Sequence, residues 1–319
     1  MSLLFECWWD SAPELQEPRW REGFEAPFGP FTGVTTNPML LLDAARRSRP
    51  ETTASSGWEL YLACAERSAD YLASRGASTM LMCVQLDARL ADDAAAMVVQ
   101  AKEIRARIPN AMIKVPLSAA GIETIGALAA EGVPINGTWG FSVAQFVAAA
   151  RAIKDAAYPE PRPRHLVSCL QGRLGDLGLS EHLGKDPRRL RAAEAAVFDA
   201  AYRELEPYRD VVTLMGASLR PGPDQECWSY SAKAGKDVLL TLPPSFLDKV
   251  GLPQNDVDYG LVDDALYQQA LGNDGVRRYA EADGFTAAEF DLLPPLVRTR
   301  DEAVAAFAEF DVMATGSAE

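Results

Sequence analysis

Histidine is nearly absent from this chain: His165 and His182 are the only two. That leaves little for a histidine-ligated metal or a Ser-His relay. Cysteine is sparse too. The five (Cys7, Cys64, Cys83, Cys169 and Cys227) are odd in number, widely spaced and form no C-x-x-C pair. A reduced cytoplasmic interior fits this better than a disulfide scaffold or a zinc site. No run approaches the ~18 apolar residues of a membrane span. The N-terminal MSLLFECWWD is apolar but has no basic leader and meets acids at Glu6 and Asp10, which predicts no signal peptide. Positive charge is in deficit, with 31 Lys and Arg against 45 Asp and Glu, for a net charge of -14. That argues against a nucleic-acid or anionic-membrane partner unless a local basic patch exists. Arg46 and Arg47, and the group Arg188, Arg189 and Arg191, read as solvated helix ends rather than such a patch. Linkers and internal repeats are also missing.

What is present is a core-rich composition, 48% hydrophobic over 319 residues, long for one ordinary domain and normal for a large α/β barrel. Short β-like runs alternate with Ala/Leu-rich amphipathic stretches. Strands are predicted at Leu3–Trp9, Thr32–Thr36, Thr79–Leu86, Ala111–Val115, Pro134–Thr138, His165–Leu170, Val211–Ala217 and Asp237–Leu242. Helices are predicted at Ala91–Ile108, Ala120–Glu131, Val143–Ala156 and Arg188–Leu205. Asn37-Pro38 starts another, and the Pro-rich segment Pro159–His165 reads as a surface loop. Strands each followed by a helix predict an α/β fold, a single (β/α)8 TIM barrel. Periodicity counts strands without closing them, so an open doubly wound sheet fits as well. The domain is expected to span 1–319, with 245–319 mainly capping helices near Asp258–Leu271, Ala287–Leu292 and Asp301–Phe310.

Within 111-AMIKVPLS-118 a lysine, Lys114, sits between Ile113 and Val115. An ammonium in a buried strand costs several kcal/mol unless it is paired or deprotonated. In such a barrel chemistry gathers at the C-terminal strand ends. The polar residues there are Asp10, Asn37, Gln85, Lys114, Asn136, Thr138, Ser168, Ser218 and Arg220. Singly each has a plain structural reading: Asp10 as a helix cap, Asn37 as a turn former, Ser142 as a cap, Arg173 and Arg220 as surface charges. Their joint arrival on successive strands is harder to set aside.

The segments 8-WWDS-11, 33-GVTTNPML-40, 84-VQLDARLADD-93, 112-MIKVPLSAAGI-122, 132-GVPINGTWGFSVAQ-145, 168-SCLQGRLGD-176 and 215-MGASLR-220 together resemble the transaldolase family. They follow the family's order from about residue 5 to residue 250. The chain length is similar to the longer, pentose-phosphate-pathway type. The resemblance implies a (β/α)8 barrel that handles phosphorylated sugar substrates through a lysine Schiff base, with no metal or organic cofactor. It implies Lys114 as the Schiff-base lysine and Asp10 as the general base toward the C4 hydroxyl. An exposed lysine is neutral to only roughly one part in 2,500 at pH 7, and burial favours the free amine. Asn37 and Asn136 match positions that hold sugar hydroxyls, and Thr138 matches one that positions a water. Arg173, Arg220 and Ser218 match the phosphate site, where a guanidinium fork suits a dianion. A homodimer is compatible with all of this.

The departures are specific. Gln85 stands where the longer transaldolases carry a glutamate, as it does in the similar short fructose 6-phosphate aldolases; an amide holds water but cannot shuttle its proton. Ser168 is followed by Cys169-Leu170 in place of an aromatic segment. Gly137, Trp139 and Gly140 replace a leucine pattern, with Trp139 either filling space beside the site or packing outside the barrel. Cys169 has no histidine beside it in sequence and reads as buried and inert. Three functions follow as expectations: a transaldolase, a transaldolase-like aldolase or specialised C–C bond enzyme, and a non-catalytic sugar-phosphate-binding homologue.

Overall fold

The structure, a computed structural model, describes residues 5–15, 31–50, 53–158, 160–222, 226–254 and 257–316. Eight parallel strands close into a barrel in sequence order: β1 Glu6–Asp10, β2 Gly33–Thr35, β3 Leu81–Gln85, β4 Ala111–Pro116, β5 Ile135–Gly140, β6 Leu166–Leu170, β7 Thr213–Ala217 and β8 Leu239–Leu242. β8 pairs back onto β1, so the closed barrel holds and the open sheet does not. Each predicted strand is found within a few residues of its expected limits; Leu3 and Leu4 of the first lie outside the described residues.

The two-residue period of the strands sorts their side chains. Residues such as Val34, Val84, Ile113, Val115, Val167 and Leu240 belong to the large core between barrel and helices. The inward set makes a separate small plug of Trp8, Cys83, Met112, Leu166, Met215 and Leu239. Gly33 faces that plug, and a Cβ there would overlap the Trp8 indole. Below, the Trp8 indole N–H donates to Glu6 (2.9 Å) and to Thr32 (3.1 Å), and Arg164 pairs with Glu6 (2.6 Å). The interior is therefore apolar and sealed at its N-terminal end, leaving room only above the plug.

Helices Ala94–Arg107, Ala119–Ala130, Val143–Asp155 and Pro187–Glu204 lie within three residues of the predicted limits at each end. Side-chain caps fix all four starts: Asp93, Ser118, Ser142, in a capping box with Gln145, and Asp186. The expectation that a helix follows every strand needs correction. After β7 the described residues hold only the one-turn helix Trp228–Ser231; most of the connection after β1, residues 16–30, lies outside the described residues. The C-terminal helices differ as well. Asp264–Leu271 starts later than predicted, Asp274–Ala280 is additional, and the last runs over Pro294–Thr315. Two prolines at its first positions supply a helix start that periodicity alone places seven residues late.

That last helix bears on the site. Its Phe307 and Phe310 meet the Tyr61 ring edge-on at 5.0 and 5.7 Å. Tyr61, fully buried on helix Gly57–Ser74, uses one hydroxyl to bond both backbone groups of Gln85, donating to its carbonyl (2.9 Å) and accepting from its N–H (3.0 Å). The end of β3 is thus fixed from outside the barrel.

Candidate active site

Above the plug opens a cavity of about 390 Å³. Asp10, Asn37, Gln85, Lys114, Thr138, Ser168, Arg173, Ser218 and Arg220 all line it, contributed by the ends of seven strands and the segments after them. Of the polar residues expected at the strand ends, Asn136 alone does not. It is fully buried one step down β5, its amide accepting from Ser168 Oγ (2.7 Å) and donating to Cys83 Sγ (3.3 Å).

Ladder register explains the grouping. Lys114 lies directly between Gln85 on β3 and Asn136 on β5, while Asp10 pairs with Thr35. Lys114 is 8% exposed, and its Nζ donates to the Thr36 carbonyl at 2.9 Å. Its flanking Ile113 and Val115 point outward into the core, so the charge interrupts no apolar face. Asp10 is enclosed by the barrel wall and opens only on the cavity. Burial pushes its carboxyl above the usual range, against the opposing pull of the Lys114 charge and the Thr35 hydrogen bond. Thr35 Oγ1 donates to Asp10 Oδ1 at 2.6 Å and lies 2.5 Å from Thr241 Oγ1. Thr35 has one proton to give, so Thr241 is the donor in that second contact.

Asn37 stands at the start of the helix after β2. Its Oδ1 accepts from Leu40 N (3.0 Å) and caps helix Pro38–Arg47, and the residue also borders the cavity. Gln85 is 2% exposed, and its Nε2 has no partner among the described residues, leaving an unspent donor in a site wall. Trp139 belongs to the cavity wall rather than outside the barrel. It adopts φ +58°, rare for a bulky residue, where the β5–β6 register shifts between Gly137 and Gly140. A Cβ on Gly140 would overlap Phe146 and the Ser168 carbonyl, so the glycine is needed for that bulge. Ser218, φ +55°, is the other non-glycine residue with positive φ among the described residues. Both strained positions lie in the wall of one cavity, where such strain tends to concentrate.

Leu170 is in the wall too, while Cys169, one residue earlier, faces outward and burial pushes its thiol up to about 12. The inert reading of Cys169 fits that placement. At the rim, Arg173 pairs with Glu302 (2.7 Å) and Arg220 Nε with Asp176 (3.1 Å). Arg191 corrects a sequence expectation. It is 8% exposed and ion-paired with the buried Glu194 at 2.6 Å, not a solvated helix end.

Sequence reasoning misses Thr35, Thr241, Met215, Ser245 and Thr299 as wall residues. Thr35 and Thr241 are findable, since each is inward by period two from Gly33 and Leu239. Thr299 comes from the C-terminal helix, and only tertiary packing reveals it. Among the described residues no helix is long and apolar enough to cross a membrane.

Comparison with known proteins agrees with the geometry. The chain is 33% identical over 150 residues to a probable transaldolase of Dehalococcoides mccartyi, covering 47% of this chain and 56% of that protein. It is 32% identical over 161 residues to a probable transaldolase of Heliobacterium modesticaldum, covering 50% and 59%. One from Nitrosopumilus maritimus matches at 30% over 158 residues, covering 50% and 60%. These matches span between half and two thirds of each relative's length. A family model, Transaldolase/Fructose-6-phosphate aldolase, matches residues 25–308. A closed barrel with these residues at its strand ends, matched over most of its length by that model, belongs to the transaldolase/fructose-6-phosphate aldolase family.

Proposed function

We propose that this protein transfers a dihydroxyacetone unit from a ketose phosphate to an aldose phosphate through an imine on Lys114. The observation that carries the reading is the pairing of a buried amine with an enclosed carboxyl, Lys114 and Asp10, on one cavity with two arginines at its rim.

The amine adds to the C2 ketone of the substrate, and loss of water gives a protonated imine. Its positive nitrogen accepts the electron pair of the C3–C4 bond as that bond breaks. Asp10 takes the C4 hydroxyl proton, the first aldehyde leaves, and a three-carbon enamine stays on Lys114. Addition to a second aldehyde runs these steps backwards. A carboxyl whose proton affinity burial has raised suits such a two-way role. Thr138 and Gln85, both in the cavity wall, hold the water of imine formation and hydrolysis in this reading. Asn37 and Ser168 border the sugar hydroxyls, and Asn136 steadies Ser168 from below. Arg173, Arg220 and Ser218 take the phosphate. The chain acts in this reading as one barrel domain, in the cytoplasm, within pentose-phosphate carbohydrate metabolism.

Incubation with fructose 6-phosphate and borohydride should leave a stable mass adduct on Lys114. Absence of an adduct with any ketose phosphate rules the reading out.

One observation favours a second reading, a fructose 6-phosphate aldolase type of reaction with release of the free ketone. The unspent amide of Gln85 can hold a water but has no carboxylate to exchange its proton. Free dihydroxyacetone measured against transfer to glyceraldehyde 3-phosphate separates the two, and Gln85→Glu should shift the balance toward transfer. A non-catalytic sugar-phosphate binder would gain nothing from a buried amine; thermal stabilisation without any imine would favour it.

A further inference from the structure

Arg220 is the end of a charged chain whose other members play no part in the reaction chemistry. Its Nε donates to Asp176 Oδ2 (3.1 Å), and its Nη1 donates to the carbonyl (3.2 Å) and hydroxyl (3.3 Å) of Ser218. Nη2 is left without a protein partner among the described residues. The second oxygen of Asp176 accepts from Arg191 Nη2 at 3.2 Å, and the same nitrogen lies 2.6 Å from Glu194 Oε1. Arg191 and Glu194 sit three residues apart on helix Pro187–Glu204 and are 8% and 3% exposed. From this structure we propose that Asp176, backed by buried Arg191 and Glu194, is a positioning residue that presents the Arg220 guanidinium to an anionic group of the substrate. The inference rests on the reading of the cavity given above.

Three features point the same way. Two glycines of 171-QGRLGD-176 make room for the chain: a Cβ on Gly172 would overlap the Ser218 carbonyl and the Arg220 side chain, and one on Gly175 would overlap Glu194. A small space of about 10 Å³ lies behind Arg220, lined by Gln171, Arg191, Glu194 and Lys233, so the network is enclosed on that side. Arg173 offers the contrast. Its partner Glu302 is one-third exposed and shared with the surface residue Arg298 (3.3 Å), and the buried group it meets is the neutral Thr299 hydroxyl (3.4 Å), not a charge. Buried side chains lose little further freedom on binding, and a fork fixed through Nε and Nη1 keeps its remaining nitrogen aimed.

The alternative is that Asp176 only screens Arg220, and the two roles have opposite signs. The test titrates inorganic phosphate calorimetrically into the full-length protein and its Asp176→Ala and Glu194→Gln variants. KM and kcat for fructose 6-phosphate, and borohydride trapping with fructose, complete it. Positioning predicts phosphate binding weakened about tenfold in Asp176→Ala and by a smaller factor in Glu194→Gln. The loss should appear in KM more than in kcat, and should exceed any loss in fructose trapping by about fivefold or more. Tighter or unaltered phosphate binding in Asp176→Ala overturns the proposal, as does equal loss with both sugars or no phosphate binding by the parent protein. Asp176 is partly exposed, so its variant decides the matter if Glu194→Gln does not fold. Failure of the Schiff-base reading would show instead as no adduct with either sugar, and the phosphate titration would still stand.

Discussion

Two lysines are buried in this barrel, and only one of them faces a cavity large enough for a substrate. Lys114, two residues before the end of β4, faces an opening of about 390 Å³, hydrogen-bonded to the Thr36 carbonyl and sharing the cavity with Asp10. Lys233 lies on the outer side of β7, fully buried, its Nζ without a hydrogen-bond partner among the described residues and 4.4 Å from the centre of the Phe198 ring. Only a space of about 10 Å³ adjoins it. Burial pushes Lys233 down to about 8, closer to neutral than any exposed lysine. By amine chemistry alone Lys233 is a fair nucleophile; by access it has no substrate. The comparison separates what desolvation does to an amine from what a site must add: room, a proton acceptor and an anchor for the rest of the ligand.

The largest test of this contrast exchanges each amine for an apolar chain of similar length. Lys114→Met should abolish borohydride trapping and turnover, whereas Lys233→Met should keep the adduct on Lys114. Peptide mapping of the reduced adduct is the measurement, and labelling at Lys233 would reverse the comparison. Next in size is the proton acceptor. Asp10→Asn should lower kcat about 10²- to 10⁴-fold, the usual range for a general acid–base group. Imine formation should survive better than cleavage, seen as an adduct retaining the full ketose mass. Smaller again is the Thr35 hydrogen bond, which holds the Asp10 carboxyl down against the upward push of burial. Thr35→Val removes it, so Asp10 keeps its proton to higher pH. The acid limb of the rate–pH profile should then move upward, and a profile that stays put would mean that Asp10 does not set it.

How much of this is readable in the sequence differs between the barrel and its surroundings. The strands and the inward polar residues are legible because period two puts residues such as Gln85, Lys114 and Ser168 on one face, and parallel closure brings like ends together. Asn136 is level with Lys114 in register, but sequence alone cannot show that Ser168 and Cys83 engage its amide below the cavity. Arg191 misleads because a run of arginines at a helix start looks solvated until its buried partner, Glu194, is known. Trp139 could go either way in sequence; the bulge that turns it into the cavity depends on Gly140 meeting Phe146 and Ser168 in space. Thr299 and the Tyr61 clamp on Gln85 depend on where the C-terminal helix docks, and its Phe307 lies more than two hundred residues from Tyr61 along the chain.

The smallest expected effect concerns the sealed lysine. Lys233 has a folded value of about 8 against 10.5 in the open chain, so the folded state holds its proton less firmly. The stability this group allows is fully present above about 10.5 and is lost as the pH falls to about 8, below which both states carry the charge. The groups acting on it besides burial are Asp199, Cys169 and Cys227, which favour the charge, and Lys236, which opposes it. At pH 7 the buried ammonium is therefore a cost, offset in part by its attraction to the Phe198 ring. Lys233→Met should raise unfolding stability at pH 7 by about 1–3 kcal/mol, the desolvation penalty removed less the cation–π attraction given up. In urea unfolding the gain should shrink between about pH 8 and about pH 10.5, because the parent protein then sheds the proton and catches up. A variant less stable than the parent at pH 7 would mean that Lys233 is held by interactions stronger than burial, and that the two buried lysines differ in more than access.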